Sequence, residues 1–69
     1  EYAEALYGLG SIQQVRGEFD AIDSYYRAAR VNPRYISVLY SLGIALQASN
    51  FMEKSIDALQ KVVELQPDN

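Results

Sequence analysis

The stretch YAEALYGLG, residues 2–10, returns as YISVLYSLG, residues 35–43. Tyr2, Leu6, Tyr7, Leu9 and Gly10 are matched by Tyr35, Leu39, Tyr40, Leu42 and Gly43, each 33 residues further on. Five identities at fixed positions within nine residues mark an internal repeat. A repeat at this period is the signature of an architecture in which one supersecondary unit is stacked on the next. Further along the offset becomes 34: Ile22-Asp23 returns as Ile56-Asp57, and Pro33 as Pro67. The first copy is therefore one residue short between Gly10 and Ala21. Gly17, Glu18 and Phe19 fall in that interval and read as a turn. A deletion is tolerated in a turn, whereas inside a helix it rotates a whole face. The copies are expected at residues 1–33 and 34–67 of a single domain, 1–69.

Each copy reads as two helices. Leu6, Leu9 and Gly10 have the i, i+3, i+4 spacing of one helical face, and Leu39, Leu42, Gly43 and Leu46 repeat it. After the turn, Ile22, Tyr25, Tyr26 and Ala29 keep the helical period. Ile56, Leu59, Val62 and Val63 do so in the second copy. The pattern predicts four helices, at about Tyr2–Val15, Asp20–Val31, Tyr35–Ser49 and Met52–Leu65. Breaks fall at Gly17, Asn32-Pro33, Asn50 and Gln66-Pro67. Gly and Asn tolerate the left-handed backbone that ends helices. Pro cannot continue a helix and pushes its predecessor out of the helical region. Connections this short make neighbouring helices antiparallel.

Composition removes several function classes. With no cysteine there is no disulfide, and with no histidine the chain lacks the commonest general base and zinc ligand. Ser11, Ser24 and Ser49 have no evident base to activate them. Glu18, Asp20, Asp23, Glu53 and Asp57 match no calcium loop, and acids near helix starts are favoured by the helix dipole. Neither metal, cofactor nor catalysis is expected. The net charge is −3 and the six Lys and Arg are dispersed, which argues against nucleic acid. No apolar run approaches the ~20 residues of a membrane span. The chain lacks an initiator Met and begins inside a repeat, so an excerpt of a longer protein is expected. No signal peptide is visible, which in an excerpt says little of the whole protein; a cytoplasmic setting is the default expectation.

These residues resemble the tetratricopeptide repeat, whose 34-residue unit carries W-x₂-L-G-x₂-Y, then A-x₃-F, then P. The first copy offers Leu6, Leu9, Gly10 and Gln13, then Ala21, Tyr25, Ala28 and Pro33. The second offers Leu39, Leu42, Gly43 and Leu46, then Ser55, Leu59, Val62 and Pro67. The resemblance covers nearly the whole chain and implies an all-α fold, a right-handed α-solenoid of helix-turn-helix units with four antiparallel helices. It makes the residues just named, Gln13 excepted, the packing positions. Gly10 and Gly43 let a neighbouring helix approach closely, and the small Ala21, Ala28 and Ser55 do the same from the other side. Gln13 departs from the pattern by being polar and Val62 by being large. The residue missing before Ala21 leaves two registers open, with either Tyr25 or Tyr26 turned inward.

The resemblance also implies that the first helix of each pair lines a groove that holds a protein or peptide partner. The matching positions are Glu4, Tyr7, Ser11 and Gln14 in the first copy, and Ser37, Tyr40, Ser41, Ile44 and Gln47 in the second. Each set lies on a helical face away from the Leu-Gly stripe, and an ordinary solvated face is the alternative. Tyr7 and Tyr40 hold the same position in successive copies and are expected side by side, as binding anchors or as surface tyrosines without a role. Some family members clamp a chaperone's terminal carboxylate with Lys and Asn. The matching residues here are Tyr7, Ser11 and Ser41, so that clamp is absent. The leading expectation is a non-catalytic protein-binding module. The alternative is a structural segment that stacks on further repeats of its parent protein or on itself. RNA binding, as in the similar 35-residue pentatricopeptide repeat, is disfavoured by the 33- and 34-residue offsets and the negative charge.

Overall fold

Two tight turns, both ending a helix on a left-handed residue, set the architecture of the chain. The computed structural model describes residues 2–66; Pro67, placed by the sequence among the packing positions, lies outside them. Four helices follow one another: α1 (Ala3–Val15), α2 (Asp20–Val31), α3 (Ile36–Ala48) and α4 (Met52–Leu65). No strand occurs among the described residues. Helix α1 packs on α2, α2 on α3 and α3 on α4. The result is two helical hairpins joined through α2 and α3.

The hairpin turns share one geometry. Gly17 has φ +73° and Asn50 φ +67°. In the first turn the Gly17 N–H donates to the Gln14 carbonyl at 3.0 Å and the Glu18 N–H to the Gln13 carbonyl at 2.9 Å. In the second, the Asn50 N–H donates to Gln47 at 3.0 Å and the Phe51 N–H to Leu46 at 2.8 Å. This paired arrangement is the Schellman motif, which satisfies the last helical carbonyls and requires the left-handed conformation at its centre. Asn is the non-glycine residue best suited to that position. The break between the hairpins is different. Asn32 is extended, at φ −138°, because the ring of Pro33 excludes the helical region for its predecessor.

Helices α2 and α4 have the bounds the sequence predicts, and α1 and α3 are shorter. Tyr2 and Tyr35 are extended N-cap residues rather than helical ones. Their carbonyls nonetheless accept the first helical hydrogen bonds, from Leu6 at 3.2 Å and Leu39 at 3.1 Å. Side-chain periodicity cannot separate a cap of this kind from the first helical residue.

The core runs through both hairpins and contains Leu6, Ala21, Tyr25, Ala28, Val38, Leu42, Ala45, Leu46 and Ala58. Burying one large aliphatic side chain contributes about 1.5–3 kcal/mol. Tyr25 is 1% exposed while Tyr26 is 39% exposed, which settles the register of α2. The residue missing before Ala21 is taken from the start of α2, which has 12 residues against 14 in α4, while the connection at 16–19 is longer than that at 49–51; the inward face of α2 stays in phase. A Cβ on Gly10 would lie 2.7 Å from Cε1 of Tyr25, and one on Gly43 would lie 2.7 Å from the Leu59 side chain. Both glycines therefore admit a large side chain from the second helix of their own hairpin. Ser55 reaches the same contact and donates to the Gly43 carbonyl at 2.8 Å.

Two expected packing positions are corrected. Leu9 is 44% exposed although its counterpart Leu42 is 3% exposed. Helix α2 covers Leu42, and among the described residues no helix covers the same face of α1. Pro33 is exposed and acts as a helix terminator in the turn. Leu39 and Ser55 are buried, and Leu59 and Val62 are half-buried.

Candidate functional site

The residues expected to line a groove come from α1 and α3, and their environments differ sharply. On α3, Ser37, Tyr40, Ile44 and Gln47 are exposed and Ser41 is half-buried. Residues 37, 40, 44 and 47 follow the i, i+3, i+4 rule and form one stripe. On α1, Glu4 is exposed, whereas Tyr7, Ser11 and Gln14 are half-buried.

Tyr7 is tied into the fold. Its ring lies 5.9 Å from that of Tyr25 and 5.5 Å from that of Tyr35, tilted by 42° and 55°. Such tilted pairs add about 0.5–1.5 kcal/mol each beyond area burial. The Ser41 hydroxyl donates to the Tyr7 oxygen at 3.5 Å. The expected side-by-side stack of Tyr7 with Tyr40 does not form. Tyr35, arriving at the start of the second hairpin, takes that place, and Tyr40 remains 56% exposed. Gln14 is likewise engaged: its Oε1 accepts the Tyr25 hydroxyl at 2.6 Å. Tyr25 can be fully buried because its hydroxyl has this partner.

These contacts make α1 and α3 one surface. Tyr7, Tyr35 and Ser41 form the seam, and the freely accessible part is the α3 stripe with Glu4. Tyr35 was not among the residues picked out by sequence; its recurrence as the partner of Tyr2 was the available signal. The face has no Lys, Arg or Asn among its expected residues, so it offers hydroxyls, amides, the Glu4 carboxylate and two apolar side chains, Tyr40 and Ile44. Among the described residues no three acidic side chains come together in a way that could hold a metal ion. No helix there is long and apolar enough to cross a membrane.

A helical hairpin repeated head to tail, with a small residue at each close contact, defines an all-α repeat protein. No protein-family model matches the chain. Two curated proteins are similar to it. One is a TPR repeat-containing protein of Methanocaldococcus jannaschii, 37% identical over 60 residues, covering 86% of this chain and 11% of the relative. The other is a UDP-N-acetylglucosamine–peptide N-acetylglucosaminyltransferase of Giardia intestinalis, 33% identical over 70 residues, covering 100% of this chain and 5% of the relative. The repeat spacing, the four-helix fold and these relatives together fit a tetratricopeptide unit. The chain spans 5% and 11% of the two relatives' lengths, so the match to the transferase brings no catalytic role with it.

Proposed function

We propose that the chain is a non-catalytic protein-interaction module, with repeats at residues 1–33 and 34–67, whose α1/α3 face holds a segment of a partner protein. The observation that supports it is the exposed line of Ser37, Tyr40, Ile44 and Gln47 on α3 beside the Tyr7–Tyr35 seam. Tyrosine offers a large rigid apolar area with a polar tip, at the cost of ordering few torsions, and is enriched among residues that dominate binding energy. Resemblance to tetratricopeptide arrays points to the same face. A photo-cross-linking residue at position 44 in the parent protein tests it against one at exposed Glu53 on α4. A protein adduct from position 44 is expected; adducts from 53 with none from 44 overturn the placement.

A second reading, stacking on further repeats or on another copy, has its own support. Ala5, Leu9 and Ile12 on α1 are exposed where their counterparts Val38, Leu42 and Ala45 on α3 are buried. At the other end, Ile56 and Val63 on α4 are 57% and 67% exposed, where Ile22 and Ala29 on α2 are half-buried beneath α3. The two uncovered faces thus repeat, residue for residue, the two sides of the α2–α3 contact. The readings are compatible, because stacking uses the ends of the unit and partner binding uses its flank.

A further inference from the structure

We infer that the cleft between α2 and α4 is a second docking site, separate from the α1/α3 face, for a short segment that alternates large apolar and acidic side chains. Helix α3 packs on both α2 and α4, and the gap left between those two is a cleft of about 410 Å³. Leu39 and Leu42 of α3 floor it, Tyr26 and Ala29 form the α2 wall, and Ala58 faces them from α4. Tyr26 also borders a largely apolar notch formed with Phe19, Ile22 and Phe51, with Asp23 and Ser49 on its edge. The apolar surface is therefore continuous from Phe51 past Tyr26 to Pro33. Along α2, from Ile22 to Pro33, this is ~16 Å at the helical rise, the length of roughly five extended residues. A long apolar surface with a polar rim marks a place of interaction.

Charge selects the partner. The chain carries a net charge of −3, yet the lining of the cleft reverses that balance. It holds Lys54 and Lys61 against Asp57 alone, with Asp23 further off on the edge of the notch. Lys54 and Lys61 border the cleft itself, one turn on either side of Asp57. Such a rim attracts carboxylates and rejects cations, while the floor rewards apolar side chains. An alternating segment presents its apolar side chains to the floor and leaves its acids near both lysines.

Stacking does not close this cleft. Residues 54, 57, 58 and 61 form one stripe of α4, and Ile56 and Val63 lie on the opposite side of the helix. A helix laid on Ile56 and Val63 leaves Lys54 and Lys61 accessible.

The test is an amide-resolved NMR titration of the 69-residue chain with three octapeptides, alternating Leu with Glu, Leu with Lys, and Ser with Glu. The Leu–Glu peptide is expected to shift Tyr26, Ala29, Ala58 and Lys61, and to leave Tyr40, Ile44 and Gln47 in place. The other two peptides are expected not to bind in the same range. Lys54→Glu with Lys61→Glu changes exposed side chains only, so helicity should persist while Leu–Glu affinity falls roughly tenfold. Several results overturn the proposal: no Leu–Glu binding, equal binding of the Leu–Lys peptide, shifts confined to the α1/α3 face, or an unchanged affinity in the double variant. None of them counts against the α1/α3 face as a partner-binding site.

Discussion

The Ser24 hydroxyl donates to Gln13 Oε1 at 2.6 Å, and this polar pair occupies the positions that Leu46 and Ala58 fill with hydrocarbon in the second hairpin. The polar residue that departs from the family pattern at Gln13 is thus matched by a buried serine across the helix contact. Each single change should harm and the pair should not. Gln13→Leu leaves a buried hydroxyl without its acceptor and should cost about 1–3 kcal/mol. Gln13→Leu with Ser24→Ala should be close to neutral or stabilising. Urea unfolding of the four variants gives the coupling; strict additivity would show that the hydrogen bond does not link the two positions.

Glycine replacement should separate the two close contacts. Gly→Ala within a helix gains up to about 1 kcal/mol from backbone propensity, against overpacking of about 1–3 kcal/mol. At Gly10 the added Cβ meets the ring of Tyr25, which is fully buried and held by Gln14, so it cannot move aside. At Gly43 it meets the end of Leu59, which is half-buried and can rotate toward the open side of α4. Gly10→Ala should therefore lower the melting temperature, and Gly43→Ala should leave it nearly unchanged. The reverse order in thermal melts would contradict the packing described.

At the second turn, Asn50→Gly should be neutral or slightly stabilising, because glycine adopts φ +67° without strain. Asn50→Val should destabilise by roughly 1–2 kcal/mol. Denaturant midpoints compare the two; equal stability of the glycine and valine variants would show that the left-handed conformation is not required.

How far the sequence reaches follows from which contacts are local. The bounds of α2 and α4 and the left-handed Asn50 were legible, since each depends on a few adjacent residues. The inward register of α2 was not, because the missing residue before Ala21 left Tyr26 possible beside Tyr25; that the start of α2 gives up the residue is a three-dimensional fact. The candidate face was legible as a set of helical positions. The freedom of each was not: Tyr7 and Tyr40 are equivalent in sequence, but only Tyr7 meets the cap tyrosine of a following hairpin. Leu9 and Leu42 differ for the same reason, through what lies beside them rather than what they are. The spacing of Lys54, Ala58 and Lys61 was visible, but not that Tyr26 and Ala29 face them across a gap.

The exposed end faces predict concentration-dependent association. Burial of Leu9 and Ile12 against Ile56 and Val63 of another copy would recover apolar stabilisation that the single chain leaves unused. Sedimentation equilibrium should show an average mass that rises with concentration, and Leu9→Glu or Val63→Glu should abolish the rise. A cooperatively melting monomer at every concentration would contradict the stacking reading.

The claim that a partner lies on the α1/α3 face is tested most directly by calorimetric titration of the partner captured at position 44. The titration compares the wild-type protein with its Tyr40→Ala, Ile44→Ala variant. Both side chains are exposed, so the melting temperature should hardly change while affinity falls by roughly 10- to 100-fold, as expected when central aromatic and aliphatic anchors are removed. Unaltered affinity in a folded double variant would contradict the account and place the binding surface elsewhere.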